Sequence, residues 1–163
     1  MTRRPLDPRI CPIAIDANAL NRDGSAHDGL VDRLLELSSA STINLIVPKG
    51  VRGEILDPRT PAHLQEAALP KIFTIQVGLN SDEQRRRRLI EQDLQGNARP
   101  GKHTADANHL FEAAKYCGYF ITHDQRILDR EGKIRSVLPP SLTVVTLKNF
   151  LTIFDDYAAR RPR

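Results

Sequence analysis

Short apolar runs alternate along the chain with longer amphipathic stretches. The apolar runs, rich in β-branched residues, cover residues 12–15, 43–47, 74–77, 119–122 and 142–147. Continuous apolar runs of this length are typical of strands that are covered on both faces of a parallel sheet. The apolar spacing between them predicts helices near residues 29–40, 49–55, 62–69, 81–95 and 105–117, and from 149 onward. Alternating strands and helices predict an α/β fold with a mostly parallel sheet of about five strands.

The helix boundaries carry recognisable local signals. Ser81 is predicted to be the N-cap of the fourth helix, with Asp82 and Glu83 in its first turn. Thr104 is predicted to cap the fifth helix, and Gly118 to end it.

Length and composition bound the class of protein. A chain of 163 residues, 40% of them hydrophobic and 27% charged, is expected to form one domain over residues 1–163. Residues 1–11 form an N-terminal arm and residues 159–163 a flexible basic tail in this interpretation. The absence of a long apolar run or an apolar signal segment predicts a cytoplasmic protein without a membrane partner. Cys11 and Cys117 form no metal-binding pair and are expected to pack as small hydrophobic residues.

The charge balance only weakly indicates a partner. The net charge is +4, from 24 Lys and Arg against 20 Asp and Glu, a mild preference for polyanions. Aromatic residues make up 5% and Trp is absent, so base stacking is not expected to be the main binding device.

Two carboxylates directly follow predicted strands. Asp16 comes after residues 12–15, and Asp124 follows residues 119–122 with His123 between. In open α/β sheets, ligands bind outside the carboxyl ends of the strands. The alternatives are structural: Asp16 only ends a strand, and Asp124 only caps the short helix that begins at Gln125.

Two further carboxylates lie in helices at the same predicted rim. Asp106 shares a helix face with the apolar residues Leu110 and Ala113, and Glu54 shares a face with Val51. An inward-facing carboxylate is costly unless something compensates its charge. Asp106 would need no compensation if it faced outward as a partner of the helix dipole. Four converging carboxylates would repel one another, and Mg²⁺ or Mn²⁺, which prefer oxygen ligands, would relieve that repulsion.

The ordered set of these motifs resembles the PIN-domain ribonucleases, especially the VapC-like toxins of type II toxin–antitoxin systems. The matching pieces are Asp16-Ala17-Asn18, Glu54, Asp106 with Leu110, and Thr122-His123-Asp124. The resemblance implies a three-layer α/β/α fold and an endoribonuclease that cleaves phosphodiester bonds of single-stranded or structured RNA with Mg²⁺ or Mn²⁺. It implies Asp16, Glu54, Asp106 and Asp124 as catalytic metal ligands, with Asn18 and Thr122 as supporting groups. A cognate antitoxin and a homodimer are further implied partners.

Several basic residues neighbour the acidic motifs. Phosphate contacts are predicted for four residues, namely Arg52, Lys102, His103 and Arg126. The densest basic run, Arg85–Arg88, would spread around its helix, so a solvated face paired with Glu83 and Glu91 is as reasonable as an RNA contact.

Two other classes of protein remain open from the sequence. A receiver-type signalling domain also has acids at strand ends, and Lys148 follows the last strand. Residues 74–80, the third predicted strand and the residues directly after it, contain no Asp that could accept a phosphoryl group. An RNA-binding or interaction module with this fold would have no need of four inward carboxylates.

Overall fold

Four parallel strands form the sheet in the part of the chain that the structure describes. The structure is a computed structural model, and it describes residues 4–48, 52–71 and 79–160. The strands are β1 (Pro12–Ile15), β2 (Asn44–Ile46), β3 (Tyr119–Ile121) and β4 (Thr143–Val145). All neighbouring strands are parallel, which confirms the α/β class and four of the predicted strands. The predicted strand over residues 74–77 lies outside the described residues.

The helices follow the predicted amphipathic stretches with boundaries shifted by a few residues. They are α1 (His27–Ser39), α2 (Arg52–Ile55), α3 (Ala62–Ala68), α4 (Ser81–Gln95), α5 (Thr104–Tyr116), α6 (Gln125–Ile134) and α7 (Leu147–Ala159). Short 3₁₀ turns follow β1, over Ala17–Leu20, and α3, over Leu69–Lys71. None of the helices in the described ranges has both the length and the apolar composition needed to cross a bilayer.

Each face of the sheet has its own hydrophobic core. Successive strand residues point to opposite faces. Ile13 and Ile15 therefore pack with Leu34 of α1 and Phe150 of α7. The other face includes Ala14 and Phe120, together with Ile90, Leu110 and Ile127 from α4, α5 and α6. Burial on both faces explains why the strands are continuous apolar runs rather than alternating ones.

The strand order places one crevice at the centre of the sheet. The order is β2-β1-β3-β4, so the chain leaves β1 towards one edge and returns on the other side of β1 to form β3. Loops after β1 and β3 therefore diverge in opposite directions. In open α/β sheets this reversal creates a crevice at the carboxyl ends of the two central strands.

Two predicted helix caps are wrong, and each error has a local cause. The N-cap of α4 is Asn80 rather than Ser81: the Asn80 side chain accepts from the Glu83 amide, and Glu83 accepts from the Asn80 amide. This reciprocal pair is a capping box, which satisfies two free amides at once. Thr104 does not cap α5 either, because it is the first helical residue and its hydroxyl donates to Glu91 of α4, with the Gly101 carbonyl 3.1 Å away.

The described part of the N-terminal arm is attached to the domain. The Tyr119 and Tyr157 hydroxyls donate to the backbone carbonyls of Leu6 and Pro5, respectively. Leu6 also packs against the core on the α1 and α7 side. At the other end, α7 reaches Ala159, and residues 161–163 of the predicted tail lie outside the described residues.

The two cysteines are free thiols. Cys117 is buried in the core on the α5 side, and burial raises the pKa of its thiol to about 12. A thiol with that pKa stays protonated at neutral pH and acts as a small hydrophobic residue, as the sequence predicts.

Gly118 is required for space rather than for an unusual backbone conformation. A Cβ on Gly118 would lie 2.6 Å from the Cys11 Sγ and 3.2 Å from Leu6 Cδ1. The backbone cannot shift freely, because the Gly118 amide donates to the Pro12 carbonyl and its carbonyl accepts from the Thr143 amide, both at 2.9 Å. Gly118 thus lies between α5 and β3 at the point where Leu6 and Cys11 of the N-terminal arm pack against the backbone.

Replacing Gly118 by Ala is expected to lower the free energy of unfolding by about 1–3 kcal/mol, because the added methyl overpacks this junction. Urea denaturation followed by circular dichroism measures the change. Gly132→Ala in α6 is the matched control, since a Cβ there meets nothing within 4 Å. It is expected to stabilise the protein by about 0.5–1 kcal/mol. Equal effects of the two substitutions would contradict the steric explanation.

Candidate active site

Asp16 and Thr122 are brought together by the pairing of β1 with β3. Ile15 lies opposite Ile121 in the register, and the Asp16 amide donates to the Ile121 carbonyl at 2.9 Å. The next residue on each strand therefore emerges at the same point of the central crevice. Asp16 is 7% exposed and Thr122 is fully buried, so their hydrogen bond is shielded from water.

The Thr122 hydroxyl connects two of the predicted acids. Thr122 Oγ1 donates to Asp16 Oδ2 at 2.9 Å and accepts from the Asp124 amide at 3.0 Å. Asn18 accepts from the His123 amide at 2.9 Å and lies 3.5 Å from the same hydroxyl. Asn18 and Thr122 thus join the loop after β1 to the loop after β3.

Asp124 is the N-cap of α6, which is the structural alternative considered for it from the sequence, and its second carboxylate oxygen faces Arg126. One carboxylate oxygen, Oδ1, accepts from the Arg126 amide at 2.8 Å, which makes Asp124 the N-cap of α6. The other oxygen, Oδ2, lies 3.9 Å from Nη1 of the Arg126 side chain. Capping fixes the carboxylate at the mouth of the crevice and leaves Oδ2 directed towards a cation.

Asp106 reaches the site through the same arginine. It lies in the first turn of α5 and its side chain is 28% exposed, so it lies at the boundary of the buried face rather than inside it. Arg126 Nη1 lies 3.4 Å from Asp106 Oδ2. The structure thus brings together Asp16, Asp124 and Asp106 through a chain of contacts that runs from Thr122 to Arg126.

The remaining predicted site residues have different surroundings. Glu54 and Arg52 belong to α2, but their side chains lie outside what the structure describes. Lys102 is exposed in the loop before α5, where it can reach solvent-borne phosphate. His103 is only 3% exposed, and its Nδ1 lies 2.7 Å from Arg126 Nη1. His103 is therefore placed as a support for Arg126 instead of facing solvent as a phosphate ligand would.

The Arg85–Arg88 run lies along α4, which packs antiparallel to α5. Arg87 donates to Asn108 at 3.1 Å, and Glu83 pairs with Lys115 at 2.6 Å. Arg85 and Arg86 are exposed and line a cavity of about 570 Å³ formed with residues 136–140. That cavity lies at the Lys115 end of α5, the opposite end from Asp106, so the arginines of the run do not converge on the acids.

Sequence reasoning missed two features that adjoin the site. The His27 ring, at the start of α1, lies 4.6 Å from the His123 ring, and His123 Nε2 accepts from the Leu147 amide at 3.4 Å. Partial desolvation of the ring and electrostatic repulsion from the neighbouring His27 ring lower the pKa of His123 from its ordinary value, so its neutral form is favoured. A cleft of about 490 Å³ also opens beside Asn18, with Arg59 and Thr60 in its wall. No local sequence signal links these residues to the acids, because the fold alone brings them together.

The acidic side chains of the site offer carboxylate oxygens, which are the type of ligand atom that Mg²⁺ and Mn²⁺ prefer. The arrangement is not that of a metal site: within the described ranges, no three His, Cys, Asp or Glu side chains are grouped so as to hold an ion. The positive charge between Asp106 and Asp124 comes from Arg126 instead.

Replacing Thr122 by Val is expected to destabilise the protein by about 1–3 kcal/mol, because the Asp16 carboxylate and the Asp124 amide each lose a hydrogen-bond partner in a buried place. Chemical denaturation gives the value. Thr152→Val is the matched control, since the exposed Thr152 hydroxyl only donates to the Lys148 carbonyl within its own helix. A change below about 0.5 kcal/mol, typical of surface substitutions, is expected for the control; a similarly small change in Thr122→Val would contradict the role of the hydroxyl.

The chain matches no protein-family model, no curated protein and no solved structure at a significant level, so the geometry described above is the basis for a functional assignment.

Proposed function

We propose that the protein is a divalent-metal-dependent endoribonuclease of the PIN type, with a three-layer α/β/α fold. One observation carries the proposal: acids from three separate segments are linked by one chain of side-chain contacts at the reversal point of the sheet. Asp16 follows β1 and is bonded to Thr122, Asp124 follows β3, and Asp106 in the first turn of α5 lies against Arg126. Neighbouring carboxylates repel one another, and Arg126 offsets the repulsion between Asp106 and Asp124 in the structure. A divalent ion would offset it in the proposed enzyme.

The position of Asp16 supports a chemical role for its carboxylate. Asp16 is 7% exposed, and Thr122 Oγ1 donates to its Oδ2 at 2.9 Å where β1 and β3 end at the central crevice. Ligands of open α/β sheets bind outside the carboxyl ends of such strands. With Mg²⁺ or Mn²⁺ bound by Asp16, Asp106, Asp124 and Glu54, the ion would lower the pKa of a water molecule that attacks the phosphodiester.

This chain's own residues would then position the reacting groups. Thr122 and Asn18 hold the Asp16 and Asp124 loops in register. Arg126 lies beside Asp106 and Asp124, and exposed Lys102 lies four residues before Asp106 in the chain, so both remain the predicted phosphate contacts. The cleft beside Asn18, with Arg59 paired to Asp57 in its wall, would be a path for the RNA strand next to the loop that follows Asp16. The toxin role, with an antitoxin and a homodimer, extends the proposal on the basis of the resemblance alone.

The proposal is tested with fluorescently labelled single-stranded and hairpin RNA incubated with the purified full chain. Cleavage is expected with added Mg²⁺ or Mn²⁺ and is expected to stop in EDTA. The Asp106→Asn variant, which keeps the size of the side chain and removes its charge, is expected to be inactive. Cleavage that continues in EDTA, or that is unchanged in the variant, would show that the acids are not a metal-dependent active site.

A further inference from the structure

The Arg126 guanidinium lies between two of the proposed metal ligands. Its Nη1 atom is 3.4 Å from Asp106 Oδ2 and 3.9 Å from Asp124 Oδ2. A single nitrogen thus contacts an oxygen of each carboxylate. The two acids come from different helices, and the guanidinium supplies the positive charge that offsets their repulsion.

His103 supports the guanidinium from a third side. Its Nδ1 lies 2.7 Å from Arg126 Nη1 and 3.3 Å from Asp106 Oδ2. One ring nitrogen carries either a hydrogen or a lone pair. The shorter contact, to a group that can only donate, assigns the lone pair to Nδ1, so His103 accepts from Arg126. Because His103 is 3% exposed, it is a fixed acceptor that holds the arginine against the acids.

From this arrangement we infer that Arg126 is the resident counter-cation of Asp106 and Asp124, and that it must leave them before a divalent cation can be held there. The inference rests on the proposed function, because it concerns the metal site of that function. It assigns to Arg126 the positive charge that a divalent ion would otherwise supply between these two carboxylates. Arginine and the divalent ion compete for the same oxygens, so Arg126 sets the affinity of the site.

The backbone of Arg126 is fixed while its side chain is partly exposed, which allows a divalent ion to replace its guanidinium at the carboxylates. Its backbone amide is fixed by the Asp124 Oδ1 cap at 2.8 Å, whereas its side chain is 39% exposed. The side chain can therefore turn towards solvent without disturbing the start of α6. In that orientation the guanidinium has left the carboxylates and is available to a phosphate, which is the role that the sequence predicts for it.

The inference is tested by titrating the metal-free full chain with Mn²⁺ in an isothermal calorimeter. The Arg126→Gln variant keeps most of the side chain and removes its charge, and its Mn²⁺ dissociation constant is expected to be at least about tenfold lower than that of the wild type. Arg126→Lys, which keeps the charge, is expected to stay within about threefold of the wild type. The matched control is Arg130→Gln, one turn further along α6: its guanidinium donates to the Asp93 carbonyl, so the same loss of net charge is expected to leave Mn²⁺ binding nearly unchanged.

The outcomes separate this inference from the proposed function. Unchanged or weaker Mn²⁺ binding in Arg126→Gln, with measurable binding in the wild type, overturns the inference and leaves the nuclease proposal in place. Equal tightening in Arg126→Gln and Arg130→Gln also overturns it, because the effect would then come from net charge alone. Tighter binding specific to Arg126→Gln supports it even if the wild type cleaves no RNA, a result that would reject the proposed function instead. If no variant binds Mn²⁺ at millimolar concentration, both proposals fail.

Discussion

Replacing Asp16 by Asn is expected to lower the rate of metal-dependent RNA cleavage by more than about 100-fold, beyond the 10–100-fold loss typical of residues that only support a metal ligand. The loss is expected in kcat at saturating metal and RNA, because the change removes a negative charge from the reacting centre rather than a contact with the distant parts of the RNA. A quenched-flow or gel assay on labelled RNA measures it.

Asp16→Asn tests the charge of this side chain because the substitution is expected to preserve the local fold. The asparagine Oδ1 can accept the Thr122 hydroxyl in place of the carboxylate oxygen that lies 2.9 Å away. The amide of residue 16 still donates to the Ile121 carbonyl. The spacing of β1 and β3 is therefore maintained, and a loss of cleavage reports on the charge of Asp16.

Asp129→Asn is the matched control for this experiment. Asp129 is exposed on α6, away from the crevice, and accepts from Gln125 at 2.6 Å. The same chemical change there is expected to leave the cleavage rate within about twofold of the wild type. If Asp16→Asn cleaves RNA as fast as Asp129→Asn, Asp16 is not part of the reacting centre and the nuclease proposal loses its central residue.

The strand ends were predictable because they depend on local pattern. A continuous apolar run that stops at an acid identifies both the strand and the rim, and Asp16 and Asp124 were found in this way. Thr122 and Asn18 entered the prediction through the resemblance to PIN-domain ribonucleases rather than through the strand pattern. What the pattern could not supply was the pairing of β1 with β3 across about one hundred residues, which makes these groups neighbours.

The side chains around Arg126 show where sequence reasoning reaches its limit. Proximity to an acidic motif predicted Arg126 and His103 as phosphate contacts. In the structure, His103 is buried against Arg126, and Arg126 faces Asp106 from a different helix. Such pairing depends on how α5 and α6 lie against each other, and the spacing of residues within one helix does not determine it. The helix caps show the same limit on a smaller scale, because Thr104 bonds to Glu91 of α4 instead of its own helix.

Leu110→Ala is expected to cost about 2–5 kcal/mol of unfolding free energy and to reduce RNA cleavage as well. Leu110 is fully buried in the core between α5 and the sheet, so its truncation leaves a cavity in addition to the lost transfer energy. Asp106 lies one turn earlier on the same helix face. Because Leu110 holds α5 against the sheet, a loosened helix moves that carboxylate relative to Asp124 and Arg126.

Leu69→Ala provides the comparison, since Leu69 is 42% exposed in the 3₁₀ turn after α3. Its truncation is expected to change stability by less than about 0.5 kcal/mol, as is usual for surface positions. The free energy of unfolding is measured by chemical denaturation. Cleavage is assayed at a temperature where the Leu110→Ala variant is still folded. A large stability loss with unchanged cleavage would show that Asp106 is positioned independently of the α5 core. A loss of both shows that packing beneath α5 sets the geometry of the site, because the core and the acid are then linked through one rigid helix.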